Sequence, residues 1–161
     1  MRKKRKKISA SEIEVWYDGA CEPINPGGYA SYGVLIKADG SKIWDESRLV
    51  GFGPEMSNNV AEYSGLLAAL KKLIVLGLEK SKILVRGDNM MTIRQSEGVW
   101  RCRGGLYEPY FREVQKLIGK FPHIRFQWIP REQNSEADKL SKRVLIKSGV
   151  RFEIQPQDSK C

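Results

Sequence analysis

The sequence predicts an α/β fold, a mixed β-sheet with helices packed on it. Three observations carry this. The chain opens with three β-branched and aromatic runs, the second and third joined by Asp39-Gly40, a dipeptide suited to a tight hairpin turn. Longer stretches with apolar residues at helical spacing follow. Two more short apolar runs separate those stretches. Hairpins give antiparallel strands and strand–helix–strand crossovers give parallel ones, so the string βββαβα(α)βα implies both kinds in one sheet.

In order, residues 1–12 read as a solvated basic tail. Ile13–Tyr17 is a first strand, ended by Asp18-Gly19, and a loop with Pro23, Pro26, Gly27 and Gly28 follows. Tyr32–Lys37 and Lys42–Phe52 form the hairpin. A long helix runs from about Asn59 to Leu76, with Val60, Tyr63, Leu66, Leu67, Leu70 and Ile74 on one face and Gly77 as its stop. Asn59 is expected to supply its cap. Ile83–Arg86 is a fourth strand, ending in Gly87-Asp88, and a short helix runs from Asn89 toward Gln95. Residues 96–105 are a connection containing Gly and Arg. The helix Leu106–Lys120 turns Leu106, Tyr110, Val114, Leu117 and Ile118 to one side. His123–Ile129 is the fifth strand, broken by Pro130. Asn134 then caps a last helix that turns Ala137, Leu140, Val144 and Leu145 inward. This gives one domain over residues 13–148 and a tail over 149–161, with no internal repeat.

Composition is globular, with 41% hydrophobic and 29% charged residues. The formal net charge is +9, and removing the six positives of Arg2, Lys3, Lys4, Arg5, Lys6 and Lys7 leaves +3. The body is therefore mildly basic, and the partner expected of such a chain is a polyanion, most simply nucleic acid. Cys21, Cys102 and Cys161 are too few and too scattered for a disulfide framework or a zinc site, which favours a reducing, cytoplasmic setting. No apolar run approaches the roughly 20 residues that span a bilayer. No obligatory protein partner is evident.

Four acids stand at predicted element ends: Asp18 and Asp88 after strands, Glu62 and Asp138 in first turns of helices. Each has an ordinary explanation alone, as a turn residue, a cap or a partner of the helix dipole. Together they can converge on one edge of the sheet, where ligands of α/β folds gather. Four carboxylates at one point repel unless a cation joins them, and hard divalent ions such as Mg²⁺ prefer oxygen ligands. In a basic chain this points to metal-assisted chemistry on a phosphate polymer.

Asp18-Gly19-Ala20, Asn58-Asn59-Val60-Ala61-Glu62-Tyr63, Gly87-Asp88-Asn89 and Arg131-Glu132-Gln133-Asn134-Ser135-Glu136-Ala137-Asp138 together resemble type 1 ribonuclease H. Pro26-Gly27-Gly28-Tyr29-Ala30 and Trp128-Ile129-Pro130 extend the resemblance over roughly residues 13–147. It implies a five-stranded mixed sheet in the order 3-2-1-4-5 with helices on both faces. It further implies cleavage of the RNA strand of RNA/DNA hybrids, giving 5′-phosphate and 3′-hydroxyl ends. The ions implied are two Mg²⁺, with Mn²⁺ as a substitute. Asp18 bridges both, Glu62 and Asp88 support the nucleophile side, and Asp138 supports one ion directly or through water.

The same resemblance assigns 2′-hydroxyl reading to Cys21, Asn25 and Gly27 in the glycine loop and to Ser57, Asn58 and Gln95, with turn and cap roles as the alternative for Cys21 and Ser57. It gives the DNA strand to Trp100, flanked by Arg101 and Arg103; the alternative is a Trp100 folded back over the core. Many relatives carry a histidine between the fifth strand and the last helix. Here Arg131 or Glu132 takes its place, and the sole histidine, His123, lies at the far end of strand five. The basic protrusion used by some relatives is missing, and the tail at 2–7 offers nonspecific attraction instead. Three rivals remain. A non-catalytic hybrid-binding module of this fold has little reason to keep four bare carboxylates. A DNA-directed nuclease or integrase fits the Asn134–Asp138 motif poorly, and a reverse-transcriptase domain would have polymerase sequence ahead of residue 13.

Overall fold

In the computed structural model, which describes residue 8 and residues 10–152, five strands make one sheet. They are β1 (Ile13–Glu22), β2 (Tyr29–Ala38), β3 (Ser41–Phe52), β4 (Ile83–Gly87) and β5 (Ile124–Trp128). Their order is β3-β2-β1-β4-β5, as the resemblance implied. β1, β2 and β3 pair antiparallel, whereas β4 runs parallel to both β1 and β5. The hairpin turn has positive φ at Asp39 (47°) and Gly40 (83°), the pair of left-handed residues that lets two twisted strands join directly.

The helices are α1 (Asn58–Val75), α2 (Met90–Ser96), α3 (Glu108–Ile118) and α4 (Ser135–Lys147). On one face of the sheet, Ile13, Val15 and Tyr17 of β1 and Val34 and Ile36 of β2 pack with Leu66, Leu70 and Leu73 of α1 and Val114 of α3. On the other, Ala137 and Leu140 of α4 pack on Leu35, with Trp16 beside them. Covering both faces explains why β2 reads as a near-continuous apolar run. Gly33 sets how closely α4 approaches. A Cβ there would lie 2.3 Å from the Ser141 amide nitrogen and 2.4 Å from the Ala137 carbonyl oxygen. The Ser31 hydroxyl donates to the Ser141 carbonyl and fixes the same seat.

Several boundaries differ from the sequence expectation. β1 does not end at Asp18-Gly19. Its parallel pairing with β4 stops at Trp16↔Arg86, but its ladder with β2 continues to Glu22↔Tyr29. An Asp-Gly pair reverses a chain only when the following residues turn, and here reversal waits for the Pro23–Gly28 segment. The predicted basic tail also yields to packing at its end. Ile8 and Ala10 lie against the main core, the Ser11 hydroxyl donates to Asp39 Oδ1 at 2.7 Å, and the Glu12 amide donates to the same oxygen at 3.0 Å. The run at residues 2–7, and residues 153–161 of the predicted C-terminal tail, lie outside the described residues. α3 starts at Glu108, so Leu106 is 43% exposed rather than inward. Tyr107 takes the inward place, its ring stacked on that of Tyr63 at 5.5 Å. Among the described residues no helix is long and apolar enough to cross a membrane.

Candidate active site

Asp18 sits on β1 just beyond the last residue paired with β4, so the ladder holds it on one side and leaves the other open. Gly19 then admits α1. A Cβ at that position would come within 2.5 Å of the Glu62 amide nitrogen. Ser57, not Asn59, caps α1, its hydroxyl accepting from the Val60 amide at 3.2 Å. Glu62 therefore lies in the second turn, five residues past the cap, and not in the first. Asn59 instead uses its Oδ1 to accept from Asn89 Nδ2 at 3.0 Å. Asn89, rather than Asp88, caps α2, accepting from the Thr92 amide at 3.2 Å. Asp88 is thereby released from capping and faces the other acids.

Asp18, Glu62 and Asp88 each offer a carboxylate oxygen, and these oxygens lie within 4.8 Å of one another. Burial pushes Asp18 up to about 8, helped by the charge on Asp88, and the neighbouring Asp138 acts in the same direction. Glu62, fully buried, is raised by desolvation first and by Asp18 second. Asp88 is also raised by burial, with the Asn134 hydrogen bond pulling it back. Glu62 Oε2 is buried without a hydrogen-bond partner. Three desolvated carboxylates and an orphaned oxygen form a donor set that fits hard divalent cations, which supply the missing positive charge.

Asp138 stands next to this trio but outside its tightest circle. Among the described residues it is the one acid of the four in a direct ion pair, with Lys142 Nζ at 3.1 Å and Arg131 Nη2 at 3.9 Å. Lys142 was not singled out from the sequence, although its place four residues after Asp138 on a helix carries the signal. Asn134 stands at the cap position that the sequence predicts, yet its side chain makes no capping bond. Almost fully buried, it donates from Nδ2 to the Tyr17 carbonyl at 2.9 Å and to Asp88 Oδ2 at 3.2 Å. It thus pins Asp88 to β1. Arg131 and Glu132 lie exposed in a short 3₁₀ turn, and His123 lies exposed ahead of β5.

The expected substrate contacts divide. Trp100 is 48% exposed rather than folded over the core, and Arg101 and Arg103 are exposed beside it. Asn58 opens α1, with its amide donating to Asn25 Oδ1 at 2.9 Å, so Asn25 staples the glycine loop to the helix start. The Gly27 amide donates to the Met56 carbonyl at 2.9 Å and makes the same join. Cys21 is buried with its thiol donating to the Ile24 carbonyl at 3.2 Å, a turn role, and Ser57 is spent as a cap. Gln95 is only 3% exposed and turns inward, hydrogen-bonded to Tyr63 and Tyr107, so it is not a surface contact. Its polarity made it look external, but two tyrosine hydroxyls satisfy it inside.

Residues 16–144 match a family model described as reverse transcriptase-like. LC11-RNase H1, solved in complex with an RNA/DNA hybrid, is 30% identical, with a TM-score of 0.76 over 84% of this chain and 98% of that one. The chain belongs to the type 1 ribonuclease H family. RNase H1 from Halobacterium salinarum superposes with a TM-score of 0.75 at 26% identity, covering 84% of this chain and 98% of that one. The bifunctional protein Rv2228c of Mycobacterium tuberculosis is 34% identical over 119 residues, 73% of this chain, but the chain spans only 31% of that protein's length. The ribonuclease H domain at the N-terminus of that protein superposes at a TM-score of 0.74. Within the ribonuclease H fold the three clustered acids come from β1, from α1 and from the β4–α2 junction.

Proposed function

We propose that this protein is a divalent-metal-dependent endonuclease that hydrolyses the RNA strand of RNA/DNA hybrids in the cytoplasm. The observation that carries the reading is the approach of Asp18, Glu62 and Asp88 within 4.8 Å, with Glu62 Oε2 left unpartnered. The hybrid held by the LC11 relative supports the substrate class, and three cysteines without a paired framework support a reducing compartment.

Asp18, Glu62, Asp88 and Asp138 would hold two Mg²⁺ ions, or Mn²⁺ in their place. Bound there, the ions would supply an acidified water and charge neutralisation for a scissile phosphate. The chain does the positioning. β1 presents Asp18 on a rigid ladder, Asn134 fixes Asp88 against it, and Lys142 and Arg131 hold Asp138 at the rim. Water attacks phosphorus and the bond to the 3′-oxygen breaks, leaving 5′-phosphate and 3′-hydroxyl ends. Asn58 at the start of α1 and the glycine loop stapled to it would read the RNA strand's 2′-hydroxyls. Trp100, Arg101 and Arg103 offer a stacking face and two charges for the DNA strand. Arg131 or Glu132 serves in the loop where relatives carry histidine.

The test is a labelled RNA/DNA hybrid beside single-stranded RNA, duplex RNA and duplex DNA, with and without divalent ion. Cleavage confined to the RNA of the hybrid, dependent on the ion and lost in Asp18→Asn, is the expected result. Cutting of duplex DNA, or no cutting with either Mg²⁺ or Mn²⁺, overturns the proposal.

A further inference from the structure

Gln95 lies at the end of α2, just ahead of the connection that carries Trp100, Arg101 and Arg103. That connection has little stiffness of its own, with Gly98, Gly104 and Gly105 all at positive φ. Its first residues are tied by backbone, the Val99 and Trp100 amides both donating to the Arg94 carbonyl at 2.9 and 3.1 Å. The stretch beyond them is tied by Gln95. Its Nε2 donates to the Arg101 carbonyl at 3.3 Å and to the Tyr107 hydroxyl at 3.1 Å. Its Oε1 accepts from the Tyr63 hydroxyl at 2.6 Å. Gln115 Nε2 donates to the Gln95 carbonyl at 3.3 Å, which anchors the amide's own backbone to α3. Tyr63 is the residue after Glu62, stacked on Tyr107 and met edge-on by Phe111. One peptide bond and two hydrogen bonds therefore connect a clustered carboxylate to the backbone of Arg101.

We propose that Gln95 is a positioning residue: it indexes the Trp100–Arg103 loop to the carboxylate cluster, so that Arg101 and Arg103 meet the phosphates of one strand while the other lies over the acids. This rests on the hybrid-cutting reading above. Among the described residues neither arginine pairs with a carboxylate of the chain, and both side chains are exposed and free to meet phosphate. Without the Gln95 amide the loop keeps its composition but loses the register of its charges. Freely placed arginines still attract a polyanion, but they pay more ordering entropy on contact. The deficit falls on binding and not on the chemical step.

Gln95→Met keeps the volume and removes all three side-chain hydrogen bonds. KM for a hybrid should rise about tenfold, as expected for charge-assisted contacts worth about 1.5 kcal/mol together, while kcat stays within about twofold. The slope of log Kd against log salt should fall by up to about 1.8, the share of two phosphate contacts. Amide exchange in residues 99–103 should quicken, with residues 58–70 unchanged. In an Arg101→Ala/Arg103→Ala background the same substitution should alter KM by less than about twofold, since the two effects share one route. A parallel fall of kcat and kcat/KM, or effects that multiply in the arginine-free background, overturns the assignment. Should Gln95→Met fail to fold, Tyr107→Phe keeps the ring stack and removes one partner of the amide. It should raise KM about two- to threefold only when both arginines are present, and no change there overturns the proposal. Failure of the parent protein to cut hybrid would sink the functional reading, whereas the exchange measurement reports on the tether alone.

Discussion

Asp18→Asn should make the metal-free protein more stable while ending its chemistry. Asp18 is held at about 8, against 3.8 for a free aspartate, chiefly because it is buried and secondly because Asp88 faces it. Its folded value lies above its unfolded value, so the stability it contributes is fully present below about 3.8 and is lost as pH rises through about 8. Between 3.8 and pH 7 each pH unit costs about 1.4 kcal/mol, an upper limit near 4 kcal/mol. Water entering the cleft and a proton shared among the carboxylates screen part of this, leaving about 1–3 kcal/mol. Asparagine has the shape of the protonated acid and carries no such penalty. For a domain of this size the gain corresponds to a rise in Tm of roughly 3–10 °C at pH 7. Thermal unfolding of both proteins with chelator present, from pH 4 to 8.5, reads the effect. The two curves should nearly coincide at pH 4 and separate steadily up to pH 8. With saturating Mg²⁺ the parent should recover about 2–3 kcal/mol, more than the variant does, because a ligand of the folded state alone stabilises it by mass action. A variant less stable than its parent at pH 8 in chelator, or a gain that ignores pH, would refute the account of a charge-crowded cluster.

Glu62→Gln and Asp88→Asn should each cut single-turnover cleavage of hybrid by at least about a thousandfold, with the far-ultraviolet spectrum unchanged. Asn134→Ala removes the bonds to Tyr17 and Asp88; it should cost about 1–2 kcal/mol in urea unfolding and move Asp88 still higher in a carboxyl NMR titration. Gly33→Ala drives a methyl into the backbone of α4, and a loss of about 2–4 kcal/mol is expected from the same denaturation assay. Deleting residues 1–7 should weaken hybrid binding mainly at low salt, lowering the salt slope; an unchanged slope would mean that the basic run takes no part.

Much of this fold was legible because periodicity and punctuation agreed. Val60, Tyr63, Leu66 and Leu70 fell on one helical face and all four are buried, while Asp39-Gly40 turned the chain where expected. The errors share one cause: a local rule with two possible owners. Asp18-Gly19 has the chemistry of a turn, but strand pairing with β2 outweighs it through Glu22. Ser57, Asn58 and Asn59 all suit a helix cap, and only the contact of Asn25 with the Asn58 amide and of Asn89 with Asn59 determines which one serves. Asn134 could cap α4, yet a half-buried acid 46 positions away claims its amide. The convergence of Asp18, Glu62 and Asp88 was readable from motif order; the inward turn of Gln95 was not, because nothing local announces two tyrosines arriving from α1 and the α2–α3 connection.

The last of the described elements, α4, seats backbone-to-backbone over Gly33 and brings both Asp138 and the Asn134 clasp with it. A nascent chain that has emerged only through β5 already owns three of the acids, but Leu35 is still bare and Asp88 is untethered. The four acids therefore come together only once α4 has docked. Any perturbation that loosens the seat of α4 should free Asp88 and draw Asp138 away from the trio well before the sheet itself melts.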